Sequence, residues 1–442
     1  MKRVIGLVLA AVMTMTVLSG CGGKDSSTGS VAGESFTTVT SQTEKNTNPV
    51  TLWINPFLSP DRAEENEAMF KEFSKQFTDE YGVDVNLQVI PWANRDQRML
   101  MAFSAGKGPD VVYLITDHLA QFGTMGVLEP LDKYIPDDQK NDYLDSALKA
   151  VTMNGNIYGL PMLITVQPYL YNATLLNNIG WDTSKLPETW EDLDKMFEMA
   201  KAKGKYGLLY PGGENGNISF YPWMWQAGGD VLDDSGKVIF NSPETKAAIT
   251  KLSEWFKKGY IQKDSINLVG NNQVDPIWES GNTCLQIADG SLTANYLSGN
   301  KKLNFDVKVG LPVKNKEQAI FGTMGSWSVS ATSKNKEAAA NLILKMTASE
   351  NMKLFLEKSG YMPPRKSLEN MYDNRGELKT FVESRQYFRT GVLHPAGRAI
   401  TTTLISPMMQ AIFLGKNIDE EMTKASAAMQ KAVDDSMSIK TN

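Results

Sequence analysis

Of 442 residues only two are cysteine and only two are histidine, and these shortages exclude several classes of protein. Cys21 and Cys284 are too far apart to read as a redox motif. If Cys21 is modified, Cys284 has no partner for an intramolecular disulfide, so the fold must rest on its apolar core. His118 and His394 stand far apart in the sequence, whereas transition-metal sites usually converge several histidines and carboxylates. No metal and no cofactor are expected. The chain also lacks G-x-x-x-x-G-K-[ST], G-x-S-x-G and H-E-x-x-H, and no spacing of Asp and Glu singles out a glycosidase pair. Nucleotide hydrolysis by a P-loop, triad hydrolysis and zinc proteolysis therefore find no support, and the chain reads as a non-enzyme. The formal charge is −5, without a basic stripe, so a nucleic-acid footprint is missing as well.

What is present begins with a leader. Lys2 and Arg3 precede an apolar run, Val4–Leu18, that is too short to span a bilayer. It ends at Leu18-Ser19-Gly20-Cys21, a string that resembles the lipobox of bacterial lipoproteins. The resemblance makes residues 1–20 a lipoprotein signal peptide and Cys21 the lipidated first mature residue. Acyl chains contribute roughly 0.8 kcal/mol per buried methylene, which anchors a chain without a spanning helix. Residues 21–48 are rich in Ser, Thr, Gly and Asn and read as a flexible tether. The expected address is the extracytoplasmic face of the cell membrane.

The remainder has 42% hydrophobic content over the whole chain and length for two cores. Strand and helix patterns alternate at first: a strand at Pro49–Asn55, and a helix at Ala63–Tyr81 with Phe70, Phe73, Phe77 and Tyr81 three and four apart. Gly82 ends that helix. A strand over Val83–Ile90, a helix over Arg98–Ala105 and a buried strand ending at Ile115 follow. That alternation predicts a parallel sheet flanked by helices, with ligand at the carboxyl ends of the strands: Asn55, Pro91 and Trp92, Asp117 and His118. The stretch Asn154–Asn178 has turn residues, then alternating apolar and polar side chains, and reads as a crossing from one α/β body to a second. Beyond it, Thr189 and Asp192 form a capping-box pattern, and Ser242-Pro243 starts another helix. Tyr221–Trp225 (Y-P-W-M-W) is an unusual aromatic cluster.

Several strings in order resemble the family 1 extracellular solute-binding proteins of ABC importers. They are G-P-D-V-V-Y-L with G-V-L-E-P-L-D; N-I-Y-G-L-P with L-Y-N-A-T-L-L; L-P-E-T-W-E-D-L; F-N-S-P-E-T-K-A-A-I; and N-K-E-A-A-A-N-L-I-L-K-M-T. The resemblance implies an α/β, periplasmic-binding-protein-like (type II) fold in which two lobes built from discontinuous segments close over a ligand. Lobe 1 is expected at 49–164 plus 330–371 and lobe 2 at 165–329 plus 372–442. The second crossing would lie near Trp327–Ala331 and the third near Asn370–Gly376. It implies a monomer that binds a sugar or oligosaccharide and delivers it to membrane permease subunits. A different solute on the same fold, such as a peptide or polyamine, is the alternative, and a secreted glycan-cleaving enzyme a remoter one.

A sugar offers an apolar ring face and a hydroxyl rim, which suits flat aromatics beside Asp, Asn, Gln or Arg. Among nine tryptophans, Trp223 and Trp225 are the stacking candidates, the family placing cleft aromatics in this region. Trp92 and Trp327 are further candidate rings. Asp117 matches the position where the family uses a polar residue after the third strand. Asp289 stands where many members have Gly-Trp. Asn55, Gln167, Tyr169 and Arg398 complete the candidate set, Arg398 as a partner for a uronate carboxylate or, in the alternative, a surface ion pair.

Overall fold

The computed structural model describes residues 48–58, 62–92, 95–213, 216–233, 235–288, 290–297, 299, 301–373 and 376–438. Cys21 and its lipobox, most of the tether, and Asp289 lie outside the described residues.

Twelve strands are assigned: β1 (Val50–Ile54), β2 (Val85–Val89), β3 (Val111–Ile115), β4 (Thr152–Met153), β5 (Asn156–Ile157), β6 (Leu160–Val166), β7 (Tyr169–Asn172), β8 (Tyr206–Leu209), β9 (Thr283–Ile287), β10 (Val307–Gly310), β11 (Ile320–Val329) and β12 (Phe388–Arg389). A six-stranded sheet runs β12-β11-β3-β1-β2, with β6 also paired to β11; β1 is parallel to both β2 and β3. A four-stranded sheet runs β10-β7-β9-β8. The six-stranded sheet is the body of lobe 1, with β12 and the first residues of β11 extending it toward lobe 2, and the four-stranded sheet is that of lobe 2.

The local chemistry is that of the sequence. The helix Ala63–Tyr81 buries Phe70, Phe73 and Phe77 and stops at Gly82, whose φ of 70° suits a residue without a Cβ. In the helix Trp190–Ala202, Thr189 and Asp192 form the reciprocal capping box, Asp standing in for the usual Glu. Ser242 caps the helix Pro243–Lys257 through the Thr245 N–H. The last helix, Ile418–Ser438, buries Met422, Ala425 and Met429 along one face. Two stretches left without an assigned conformation are helical. Thr116, Asp117 and His118 are the first turn of a helix, Thr116–Thr124, and the Y-P-W-M-W string is helical, Tyr221–Gln226.

The chain changes sheet at Gln167-Pro168, between β6 and β7. The second change is inside the start of β11, earlier than the expected Trp327–Ala331. The Ala319 carbonyl accepts from Gln226 and Phe321 packs parallel to Trp225, whereas Gly322 onward pairs with β6 and Gly325 onward with β3. The reason is that Trp327 belongs to the core of lobe 1. The first two crossings touch, the Gln167 N–H donating to the Phe321 carbonyl at 2.9 Å. Around the third, Tyr372 donates to the Leu356 and Tyr361 carbonyls in lobe 1, and Glu377 accepts from the Val309 N–H in lobe 2. β11 bulges between Gly325 and Ser326, and a Cβ at Gly325 would meet the Tyr113 hydroxyl at 2.0 Å, so glycine lets the strand lie against that ring.

Candidate functional site

In a parallel sheet the loops beyond the carboxyl ends of the strands are free to carry ligand-binding side chains, because the helices have taken the faces. Here β1, β2 and β3 deliver Asn55, Trp92 and Asp117 to one edge of lobe 1, opposite Tyr221, Gly391 and Arg398 of lobe 2.

Trp92 is the most open ring at this edge, 45% exposed. Its Nε1–H donates to the Pro56 carbonyl at 2.8 Å, and its edge meets Phe57 and Tyr113. The Arg95 guanidinium lies 5.1 Å from the Trp92 centroid and 5.4 Å from that of Tyr113. One part of the indole is thereby fixed, and the rest stands in solvent. Asp117, partly exposed, has no hydrogen-bond partner among the described residues. A carbon placed on Gly391 would lie 3.6 Å from Asp117 Oδ1 and 3.6 Å from the Tyr221 ring, so the two lobes approach to contact here. Burial between them pushes the Asp117 carboxyl up to about 6; nearby Arg398 opposes that shift and Asp96 adds to it.

Beside Asp117 lies a charged chain that crosses the cleft. Arg398 Nε pairs with Asp96 Oδ2 at 2.7 Å, and Asp96 Oδ1 lies 2.9 Å from His118 Nε2 in a bent contact. Arg95 donates to His118 Nδ1 at 3.3 Å and to the Tyr113 carbonyl at 3.1 Å. Arginine can only donate, so Nδ1 is the acceptor and the imidazole proton sits on Nε2, toward Asp96. Burial holds His118 below its ordinary value, hence neutral at pH 7. Burial would raise Asp96, but His118, Arg398 and Arg95 outweigh it and hold that carboxyl below the usual carboxylate range.

Other candidates serve the cores. Trp223 is buried among Trp190, Trp255 and Tyr169, with centroids 5.1–6.2 Å away, and presents no face to the cleft. Tyr169 belongs to the same cluster, its hydroxyl accepting from Gln226 Nε2 at 2.8 Å. Trp327 is enclosed by Phe57, Phe70 and Tyr113 in lobe 1. Asn55 ties strand ends together, donating to the Ile90 carbonyl at 2.7 Å. Gln167 is buried at the crossing, and its Nε2 donates to Thr165. Trp225 is close to the cleft but covered: Tyr221 and Phe321 pack on it, Arg389 lies 5.0 Å from its centroid, and Asp230 accepts from its Nε1 at 3.3 Å. Arg389 is itself held by Asp230 and lies 3.9 Å from Glu317.

Sequence reading missed Tyr221, Asp96, Arg389 and Asp230. For Tyr221 the signal was available. On a helix, residues 221 and 225 share a face and 223 points elsewhere. Asp96 lay in no quoted pattern, and its role depends on Arg398, 302 positions later.

Two hinged α/β lobes with polar and aromatic side chains converging at their facing edges define a solute-binding architecture. Residues 69–380 match the bacterial extracellular solute-binding protein family, and the chain belongs to that family. A binding protein of Brucella abortus (strain 2308) is 26% identical over 375 residues, covering 82% of this chain and 89% of its own. The galactooligosaccharide-binding protein of Bacillus subtilis (strain 168) is 23% identical over 308 residues, 68% of this chain and 70% of its own. Among solved structures, an ABC transporter solute-binding protein of Thermotoga lettingae bound with α-D-tagatose superposes with a TM-score of 0.75. It is 21% identical and covers 87% of this chain and 100% of its own. A cyclo/maltodextrin-binding protein complexed with maltotetraose gives 0.71, at 23% identity, over 87% and 96% of the two chains. Among the described residues no helix is long and apolar enough to cross a membrane, and no group of His, Cys, Asp and Glu could hold a metal ion.

Proposed function

We propose that this chain captures a sugar or short oligosaccharide outside the cytoplasm, by closure of its lobes, and hands it to the permease of an ABC importer. The observation that carries this reading is the pairing of an open indole, Trp92, with an uncommitted carboxylate, Asp117, at the lobe edges. An indole matches a sugar's C–H face and a carboxylate accepts from its hydroxyls. Relatives whose names give galactooligosaccharide and maltodextrin support the carbohydrate class. Arg398, released from Asp96 in an opened cleft, would stand at the rim of the same site. Asp289 follows β9 on the facing lobe and belongs to the proposal on sequence position alone. The chain performs no bond chemistry on this reading, and Cys21 carries the lipid that holds it at the membrane.

A second reading, a cationic solute, is favoured by one observation: the half-buried Asp117 carboxylate and the Tyr221 ring each lie 3.6 Å from a carbon placed on Gly391, and a carboxylate beside an aromatic ring also suits an ammonium group. Thermal-shift screening of neutral sugars, uronides, amines and peptides separates the two. A ligand at a hundred times its dissociation constant stabilises by about 2.7 kcal/mol. Stabilisation by saccharides alone supports the first reading, by amines alone the second, and by neither class refutes both.

A further inference from the structure

The ion pair between Arg398 and Asp96 joins the lobes at the cleft, and nothing in the capture of a sugar requires it. Asp96 stands in the first turn of the helix Arg95–Ser104, in lobe 1. Arg398 lies in the short helix Gly397–Ala399, which continues into the turns packed on Tyr221 and Gly216 in lobe 2. We propose that Asp96 and Arg398 form a latch between the lobes that sets the resting balance of open and closed forms, with His118 and Arg95 as positioning residues behind it.

The division of labour follows from burial. His118 and Arg95 are nearly enclosed, whereas the side chains of Asp96 and Arg398 are 40% and 49% exposed. Asp96 Oδ1 lies 2.9 Å from Nε2 of neutral His118, which leaves Oδ2 for Arg398. Arg95 fixes the imidazole from behind. The mobile partner is then Arg398 alone, which has one oxygen to find when the lobes approach. That they do approach is marked independently at Gly391, where a Cβ, had there been one, would lie 3.6 Å from Asp117 Oδ1.

An exposed pair of this kind changes an equilibrium by at most about fivefold. That is enough to matter, because the apparent dissociation constant of any ligand scales inversely with the fraction of competent protein. The latch therefore tunes affinity through the balance of open and closed forms, and it stands whether the ligand is a sugar or not.

The test uses the full chain with no ligand added. Small-angle scattering is compared for the wild type, Asp96→Asn, Arg398→Gln and the double variant, at low salt and in 0.5 M sodium chloride. The expected result is a larger radius of gyration in each single variant, no further increase in the double variant, and a salt-induced opening of the wild type that the variants lack. Arg398→Gln changes an exposed side chain and keeps the folded lobes even if Asp96→Asn disturbs its buried neighbours. Radii that do not differ between wild type and Arg398→Gln at low salt, or effects of the two substitutions that simply add, would overturn the latch. Because no sugar is present, neither outcome bears on the proposed ligand class.

Discussion

Trp327 in lobe 1 and Trp223 in lobe 2 occupy matching situations. Each is buried, ringed by edge-on aromatics, and without a hydrogen-bond partner for its Nε1–H among the described residues. The rings nearest the facing edges are not matched. Trp92 of lobe 1 leaves nearly half its surface in water, whereas Trp225 of lobe 2 is closed over by Arg389, Tyr221 and Phe321. Lobe 1 thus offers an open ring and lobe 2 a sealed one. Aromatic content alone does not mark a binding face; what marks it is an aromatic that the fold has declined to cover.

The largest expected effect tests the matched pair. Replacing Trp327 or Trp223 with Ala removes a fully packed indole, and such truncations cost about 3–5 kcal/mol of stability. Chemical denaturation of both variants should show comparable losses. A Trp223→Ala protein that keeps its stability but loses ligand would break the comparison and return that ring to the site.

How much of this was legible in the sequence depended on range. Phe70, Phe73 and Phe77, the capping box at Thr189 and the cap at Ser242 are fixed by neighbours within a turn, and periodicity exposes them. The stretch Asn154–Asn178 was read as a crossing from its turn residues and alternation, and the chain changes sheet inside it, at Gln167-Pro168. The site was legible only in part. Trp92 and Asp117 follow from their places after strands. Trp223, Trp225 and Trp327 could not be sorted, because whether an indole is covered depends on Trp255, Arg389 or Phe70, which reach it from distant segments. The second crossing was misplaced for that reason too: Trp327 anchors β11 against Phe57, Phe70 and Tyr113, which lie more than 200 positions earlier.

The next effect concerns the facing edges and depends on pH. The folded-state value of Asp117, about 6, exceeds its ordinary 3.8, so the native state binds more protons than the unfolded chain between those values. Stability therefore falls as pH rises through that window, and the penalty is full above it. A shift of that size corresponds to at most about 3 kcal/mol. The carboxyl keeps some water and stands in the first turn of a helix, which favours its charge, so about 1–2 kcal/mol is the sharper expectation. Asp117→Asn should flatten this part of the pH profile, raise the melting temperature at pH 7 and weaken ligand binding. If the difference in stability between wild type and Asp117→Asn stays constant from pH 4 to 6, Asp117 is not desolvated by the facing lobe.

Trp92→Ala should behave in the opposite way to Trp223→Ala. Its stability cost should be small, because much of the ring is already hydrated. Affinity for the ligand found by screening should fall about tenfold or more, near 1.4 kcal/mol, as for an aromatic anchor at a contact surface. Isothermal titration reads the loss, and an unchanged dissociation constant would remove Trp92 from the site.

The smallest effect asks whether the cover on Trp225 is real. Arg389 is more than a third exposed, and its pairing with Asp230 and its place over the indole should together contribute about 1 kcal/mol or less. Arg389→Ala should therefore shift the denaturation midpoint little. Its consequence should appear in hydroxyl-radical footprinting read residue by residue. In the wild type, oxidation should be high at Trp92 and low at Trp223, Trp225 and Trp327. In the variant it should rise at Trp225 alone, because only that ring has lost a lid that a single side chain supplies. If Trp225 stays protected, Tyr221 and Phe321 suffice to seal it, and the difference between the lobes lies in their packing and not in one movable arginine.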